Sequence, residues 1–338
     1  MNLSKPRLFA ATLFVATAGS AGSAGAEVTE ITYARQQGLS YLPMIVMEHF
    51  QLIEKHAKLQ GLTGVKGRLV SFPQTTGITD AMLAGNLHFA TQGTPSLLTL
   101  WDKTVGTGRE IRAVCAVTSS PEFLNTRNPN VKTIKDFTAM DKIAVPGAKV
   151  AIQAIVLQMA AEQAFGRGEH AKLDSLTVTM SHPDAFAAIM GTTSEVNSHF
   201  TNVPYQYYEL ENPAIHRVLN SFDVLGGPHS VIHVYTTVKF RTENPKSYAA
   251  YYGALREASD IIGKDKKAAA QAYLDISKDK TTLEAIIKLL NDPDQEYGCA
   301  PRKVMKFVDF MYRIGSIKHL PASWKELYFP EVHNMQGD

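Results

Sequence analysis

The chain has 338 residues, of which 45% are hydrophobic and 20% are charged. This length exceeds what one core organises comfortably, so two domains are expected. Lysine and arginine together number 34 and the acidic residues 32, and no long basic run is present, so charge gives no argument for a nucleic-acid partner.

The N-terminal segment has the pattern of a secretory signal peptide. Lys5 and Arg7 precede an apolar run over 8–18 that is too short to span a bilayer, and small residues end the segment at Ala24-Gly25-Ala26. The alternatives are a membrane anchor and a disordered arm. We predict that residues 1–26 form a signal peptide cleaved after Ala26, which leaves no cysteine at the new N-terminus to carry a lipid and as many basic as acidic residues.

The first half of the exported chain alternates strands with helices. Apolar residues with a period of two predict strands, and those with a helical period predict helices. A right-handed β-α-β-α-β series forms a mainly parallel sheet covered by helices on both faces. Strands are predicted over 28–35, 66–72, 87–91 and 111–118, and helices over 44–59, from Thr75 or Thr76 to Ala84, and from the turn at 93–96 through Trp101.

The same plan occurs twice. Residues 80–85 form a short amphipathic helix that stops at Gly85 before an alternating run, and residues 184–191 stop at Gly191 before another. Glycine can take the left-handed conformation that ends a helix. The second series has predicted strands over 142–145, 175–180 and 196–200 and a strong helix over 151–165. A repeated plan predicts two lobes, and the cleft between two lobes is a usual place for a small ligand.

The chain is then expected to return to the first lobe. An extended run over 230–238 follows the second series, and the remainder is predicted to be largely helical. Short crossings at 118–121 and 226–234 would form a hinge that bends. We therefore expect lobe one to comprise 27–118 and 235–338, and lobe two to comprise 119–234.

The two cysteines leave their pairing open. Cys115 lies in an apolar, strand-like run, so its first interpretation is a buried small hydrophobic residue. Export permits a disulfide with Cys299, but two cysteines alone fix no geometry, and the bridge is the less favoured alternative.

Several segments, in order, resemble one family of proteins. They are PMIVMEHFQLIEKHAKLQG, AMLAGNLHFATQGTPSLL, TIKDFTAMDKIAVPG, FAAIMGTTSEVNSHFTNVP, KFRTENPKSYAAYYGALREASDII and FMYRIGSIKHLPASWKELYFPE, which span most of 28–330. This ordered set resembles the type II periplasmic substrate-binding proteins of ABC importers, in the nitrate/sulfonate/taurine group whose domain is shared with thiamine-pyrimidine precursor binders. One departure is Asn197, where the family often has an acidic residue.

The resemblance implies an α/β, two-lobed protein in which each lobe is a mainly parallel sheet flanked by helices, joined by a hinge of two crossings. It also implies a periplasmic monomer without a cofactor, which meets the membrane only through an ABC permease that has a cytoplasmic ATPase. Pyrimidine synthases on this fold use a cysteine-rich segment, which two isolated cysteines cannot form. Neither metal-ligand spacings nor nucleophile motifs are present, so we expect a binding protein and not an enzyme.

Ligands of open α/β sheets bind beyond the carboxyl ends of the strands. Applying this rule to each predicted strand end and crossing, together with the helix starts that present free N–H groups, gives the candidate binding residues. They are Gly38, Tyr41, Gln92, Gly93, Thr94, Ser119, Lys149, Val150, Ala151, His182, His199, Phe200, Asn202 and His229.

Each candidate also has a structural alternative. Tyr41 can pack on the helix that it precedes, Gly93 can be a turn residue, and Lys149 can be solvated. His182 can cap its helix.

The expected ligand is a small organic anion of the sulfonate, taurine, nitrate or carboxylate type, because helix N-termini favour negative charge. Against this, the predicted rim has no arginine, and Tyr41 and Phe200 would suit a flat heteroaromatic such as a pyrimidine. A ligand-sensing receptor without transport is a further alternative, which the sequence leaves open.

Overall fold

The structure is a computed structural model that describes residues 27–338, so the predicted signal peptide and its cleavage site lie outside the described residues. Eleven strands are described. They are β1 (Glu30–Arg35), β2 (Lys66–Ser71), β3 (Ala90–Gly93), β4 (Ile111–Ser119), β5 (Phe123–Thr126), β6 (Ile143–Val145), β7 (Thr177–Thr179), β8 (Ser198–Thr201), β9 (His216–Asn220), β10 (Ser230–Thr237) and β11 (Glu296–Tyr297).

Thirteen α-helices are described between and after these strands. They are α1 (Leu42–His49), α2 (Leu52–Leu59), α3 (Thr75–Leu83), α4 (Thr94–Thr104), α5 (Ile152–Phe165), α6 (His182–Met190), α7 (Tyr205–Leu210), α8 (Ser221–Leu225), α9 (Val238–Glu243), α10 (Pro245–Lys264), α11 (Lys266–Ser277), α12 (Leu283–Leu290) and α13 (Val304–Arg313). Within residues 27–338, no helix combines the length and the apolar character needed to cross a bilayer.

The strands form one sheet region in each lobe. In lobe one, β1 pairs in parallel with β2, and a parallel bridge between Tyr33 and Phe89 joins them to a four-stranded sheet of order β11-β4-β10-β3. Strand β10 is antiparallel to both β3 and β4. The extended run after lobe two therefore returns to the first sheet, and it does so from Ser230; the lobe boundary at 234/235 stays a prediction.

The sheet of lobe two has the order β7-β6-β8-β5-β9. Its βαβ part is parallel, since β6 pairs in parallel with β7 and with β8. Strand β5, which enters the lobe, is antiparallel to β8 and β9. The α/β prediction is confirmed, and in both lobes the strands next to the crossings add antiparallel pairs to the parallel core.

Two local predictions are wrong. The helix predicted over 44–59 is two helices, α1 and α2, because Gln51 between them has a left-handed φ of 50°. The two helix-ending glycines also differ: Gly85 has a φ of 77°, whereas Gly191 has a φ of −79° and an extended backbone. The second repeat therefore continues into its strand without the left-handed turn.

The favoured interpretation of Cys115 as an unpaired core residue is also wrong. Cys115 forms a disulfide with Cys299, with the two Cα atoms 4.7 Å apart. Strand β11 pairs with the end of β4, which brings the segment that contains Cys299 beside the middle of β4. The bridge depends on this pairing between residues far apart in sequence, which spacing alone did not reveal.

Candidate functional site

The two lobes touch across the cleft through backbone groups. Leu39 N donates to Val203 O at 2.8 Å, and Thr75 N donates to Pro146 O at 3.2 Å. Gly38, with a φ of 113°, lies so close to lobe two that a Cβ atom there would be 2.7 Å from Val203 O. The described conformation is therefore closed.

A small cavity of about 10 Å³, room for about one water molecule in this closed conformation, lies between the lobes and is partly open to solvent. It is bounded by strand ends and helix starts, as expected for an open α/β sheet. Lobe one and its β10 strand contribute Gln36, Tyr41, Thr75, Gly93 and Ile232; the crossing and lobe two contribute Glu122, Pro146, Ala151, Ile152, Gln153, His182 and Asn202.

The local sequence explains why these groups meet. Gln36 follows directly after β1, and a short 3-10 turn over Leu39–Tyr41 brings Tyr41 back beside it. The Tyr41 hydroxyl donates to Gln36 Oε1 at 2.8 Å. Gln153 lies in the first turn of α5, and its Nε2 donates to Glu122 Oε1 at 2.6 Å across the cavity wall.

Four of these side chains keep a polar atom without a partner. Gln36 Nε2, Glu122 Oε2, Gln153 Oε1 and Asn202 Oδ1 are buried and make no hydrogen bond among residues 27–338. Buried polar groups in folded proteins are nearly always hydrogen-bonded, and leaving one unpaired costs about 1–3 kcal/mol. Four such atoms from both lobes meet at one cavity, where water or a polar ligand would complete their bonding.

Glu122 lies within the first crossing, between Ser119, which ends β4, and Phe123, which starts β5. Its backbone N–H donates to Ser221 Oγ at 2.9 Å, and Ser221 Oγ lies 2.8 Å from Nε2 of His229 in the second crossing. The two crossings are thus connected through one hydroxyl. Burial raises the pKa of the Glu122 carboxyl well above its usual range, and the bond from Gln153 opposes this only partly.

A histidine pair supports the wall of lobe two. His182 Nδ1 and His199 Nε2 are 3.0 Å apart, and Glu209 Oε1 accepts from His199 Nδ1 at 2.6 Å. Burial and the neighbouring His199 lower the pKa of His182 well below its usual value, so its ring is neutral at neutral pH. Among the described residues that line the cavity, none is a lysine or an arginine.

Five of the predicted binding residues line this cavity: Tyr41, Gly93, Ala151, His182 and Asn202. Gly38 contacts Asn202 and Val203 at the lobe interface beside it.

The other candidates lie elsewhere. Gln92 donates to Thr75 O and accepts from the Tyr235 hydroxyl, and Thr94 Oγ1 donates to Ser230 O at 3.0 Å. His199 lies behind His182, Phe200 is buried in the core, and His229 is buried in the second crossing. Ser119 lines a separate depression beside the disulfide. These residues support or surround the site without lining it.

Lys149 and Val150 face solvent before α5 and are absent from the cavity wall in the described part of the chain. The start of α5 approaches the cavity through Ala151 and the residues after it. Lys149 precedes this point and is exposed, so its ammonium group stays in water, which is the structural alternative given for it. Contact of Lys149 and Val150 with a ligand stays a prediction to which this geometry gives no support.

Sequence reasoning missed four polar lining residues, of which Thr75 was considered only as a helix cap. Gln36 directly follows β1, and the strand-end rule could have identified it. Gln153 is in the first turn of α5, where its side chain can reach a ligand at the helix start. Glu122 gave the weakest signal, since only its place in a crossing beside apolar strands distinguishes it from a surface acid.

Replacing Glu122 by Gln should make the stability of the ligand-free protein less sensitive to a rise in pH above about 4. Because the pKa of the folded carboxyl is raised, the folded state binds more protons than the unfolded state above the unfolded pKa of about 4.3. This contribution to stability is complete below the unfolded pKa and is lost by about 1.4 kcal/mol per pH unit up to the folded pKa. Thermal unfolding of both forms between pH 4 and 8 measures the difference.

In that experiment, Glu122→Gln keeps the acceptor for Gln153 and has no titrating group. The two melting curves should coincide near pH 4 and separate as the pH rises, with the wild type less stable. Parallel curves over the whole range would show that Glu122 is not a buried ionisable group in solution.

The folded chain is similar to solved periplasmic binding proteins. The alkanesulfonate-binding protein SsuA from Xanthomonas axonopodis pv. citri, bound to MOPS, matches with a TM-score of 0.67 and 15% identity, over 87% of this chain and 96% of that one. The nitrate-binding protein NrtA from Synechocystis PCC 6803 matches with a TM-score of 0.68 and 16% identity, over 88% and 83%. The aliphatic sulphonate binding protein SsuA from Escherichia coli matches with a TM-score of 0.63 and 14% identity, over 90% and 92%.

No protein-family model and no curated protein sequence matches the chain. At identities of 14–16%, the structural matches establish the architecture and leave the ligand undetermined. The resemblance inferred from the sequence is matched at the level of fold: this chain has the two-lobed fold of the periplasmic sulfonate- and nitrate-binding proteins.

Proposed function

We propose that the chain is the exported solute-binding component of an ABC importer. It captures a small polar ligand between its lobes and presents the closed form to a membrane permease. The observation that carries this proposal is the set of four buried, unpartnered polar atoms from both lobes at one cavity. A ligand that bonds to both lobes stabilises the closed form and so shifts the population towards it.

Two ligand classes come from the sequence. A small anion is supported by the starts of α3, α4 and α5, which approach the cavity through Thr75, Gly93 and Ile152. A flat heteroaromatic is supported by Tyr41 and His182 in the wall and by the amide groups, which can bond to ring nitrogens and amino groups. An anion fits beside Glu122 only while that carboxyl stays protonated, because the ionised carboxylate would bring a second negative charge into the same small space. We therefore favour the second class.

Export to the periplasm, a monomeric state and delivery to a permease with a cytoplasmic ATPase are parts of the same proposal. The signal-peptide pattern and the fold of the three relatives support them. We propose binding and release, without catalysis, as the whole of its chemistry. A sensing receptor of the same fold would use the same closure, with a signalling partner in place of the permease.

The test first identifies the solute that stays bound to the purified protein and then measures the uptake of that solute by cells. The chain is purified from the periplasm, the bound small molecule is released by heat and identified by mass spectrometry, and its uptake is measured in cells with and without the chain. We expect uptake from dilute medium to fall at least tenfold without the chain. Unchanged uptake together with a lost transcriptional response to that solute would replace the importer by the sensing alternative.

A further inference from the structure

We propose that the ligand carries a protonated nitrogen group, of the amidinium or ammonium type, that donates its N–H bonds to Glu122 at the hinge. The inference rests on the proposed function and narrows its ligand class. Glu122, which lies in the crossing and not at a strand end, would then recognise the positive charge of the ligand.

The cavity is rich in acceptors. Glu122 Oε2, Gln153 Oε1 and Asn202 Oδ1 are buried oxygen atoms without a partner among residues 27–338, against one unpartnered donor, Gln36 Nε2. When the Glu122 carboxyl is ionised, a ligand that satisfies this set must donate more hydrogen bonds than it accepts. Sulfonates, nitrate and carboxylates accept only, whereas an amidinium or ammonium group offers several N–H donors.

The orientation of each amide is set by a bond to its other end. Gln153 Nε2 donates to Glu122 Oε1, which leaves Gln153 Oε1 for the ligand. Asn202 Nδ2 points to Gln37 O at 3.4 Å, and Gln36 Oε1 accepts from the Tyr41 hydroxyl. The excess of acceptors therefore follows from the surrounding contacts.

Charge leads to the same class of ligand. An isolated carboxylate in a closed cavity is costly unless it is paired, and none of the described lining residues is a lysine or an arginine that could pair with Glu122. A cationic ligand would supply the missing partner. Because Glu122 lies in the crossing and bonds through its backbone to Ser221, a ligand held there acts directly on the hinge.

Binding of such a cation should depend on pH. The groups around Glu122 are the Tyr41 hydroxyl from lobe one, His182 from α6, His229 from the second crossing and the neutral Gln153 from α5. Burial raises the pKa of Tyr41 and lowers those of His182 and His229, so all three are neutral at neutral pH. Glu122 must lose its proton to pair with a cation, so affinity should rise about tenfold per pH unit below its pKa in the ligand-free protein.

The test is a thermal-shift panel of ligands matched in shape: acetamidine, acetamide and acetate; benzamidine, benzamide and benzoate; and 4-aminopyrimidine with pyrimidine-4-carboxylate. The full exported chain is used after unfolding and refolding to remove retained solute. We expect at least one amidine or amine to raise the melting temperature, with its amide and carboxylate counterparts weaker. Glu122→Gln should weaken that binding roughly 10- to 100-fold, as expected for loss of a charge-assisted bond.

The matched control is Glu195→Gln, which removes an exposed carboxyl of lobe two and should leave the binding unchanged. Stabilisation by a carboxylate above its amidine, equal binding by Glu122→Gln, or no stabilisation by any amidine or amine would each overturn the inference. A carboxylate that binds and compacts the protein would leave the import proposal standing. If the protein retains no solute and closes on none, both the ligand inference and the import proposal are wrong.

Discussion

Gly38→Ala should hold the two lobes apart. A Cβ atom at residue 38 would lie 2.7 Å from Val203 O and 2.9 Å from Asn202 Oδ1, both in lobe two, and the φ of 113° is one that L residues rarely adopt. Solution scattering should give a larger radius of gyration than that of the wild type with its retained solute. Affinity for that solute should fall roughly 100-fold, the factor expected if the closed population drops to about one per cent.

Gly166→Ala is the control for backbone strain. Gly166 follows α5 with a φ of 111°, almost the value of Gly38, and a Cβ atom there would meet nothing within 4 Å. Both variants carry the same backbone cost, of the order of 1–3 kcal/mol, because Gly38 and Gly166 combine a positive φ with ψ of 165° and 163°, a region that is essentially restricted to glycine. Only Gly38→Ala should change compaction and affinity. If the two variants behave alike, the contact at Gly38 has no part in closure.

Loss of the disulfide should be the largest stability effect in the chain. Cys115 and Cys299 are separated by 184 residues, and bridges that close long loops are expected to stabilise most. Removing the bridge with Cys115→Ala/Cys299→Ala should cost about 2–5 kcal/mol. For a chain of this size, that corresponds to a fall of roughly 3–8 °C in melting temperature, which calorimetry measures.

The same comparison has an internal control. A reductant should lower the melting temperature of the wild type towards that of the double variant and should not affect the double variant. Thiol titration establishes that both cysteines of the wild type are reduced. If the reduced wild type then keeps its melting temperature, the prediction is wrong. Both cysteines lie in the part of the chain that forms lobe one, so ligand affinity at low temperature should survive reduction.

Local patterns were enough for the architecture. Period-two and helical apolar runs predicted both βαβ series, and the extended run at 230–238 predicted the return of β10 to the first sheet. The predictions that were wrong concern features that depend on non-local contacts or on single backbone angles. Nothing in the sequence around Gln51 signals a left-handed residue, and the pairing of β11 with β4 that brings Cys299 to Cys115 is a tertiary event.

The candidate site follows from topology in part. The strand-end rule selected Tyr41, Gly93 and Asn202, which line the cavity, because topology alone places those ends together; their contact with a ligand stays a prediction. It could not select Glu122, which lines the cavity from a crossing. Nor could this rule show that the side-chain amide of Gln92 is already hydrogen-bonded to Thr75 and Tyr235. Side-chain direction and internal hydrogen bonds are settled by packing, which periodicity does not report.

We expect the two lobes to close on a ligand at the Glu122 cavity. The most direct test is the distance between a dye on each lobe, measured by single-molecule energy transfer. Leu59→Cys on α2 and Met140→Cys in lobe two provide the labels, since both side chains are well exposed, at 69% and 86%, and residues 27–338 contain no free cysteine. We predict a longer, broader distance in the stripped protein and one short distance when the retained solute is added. A distance that stays the same while the solute binds would contradict closure of the lobes on the ligand.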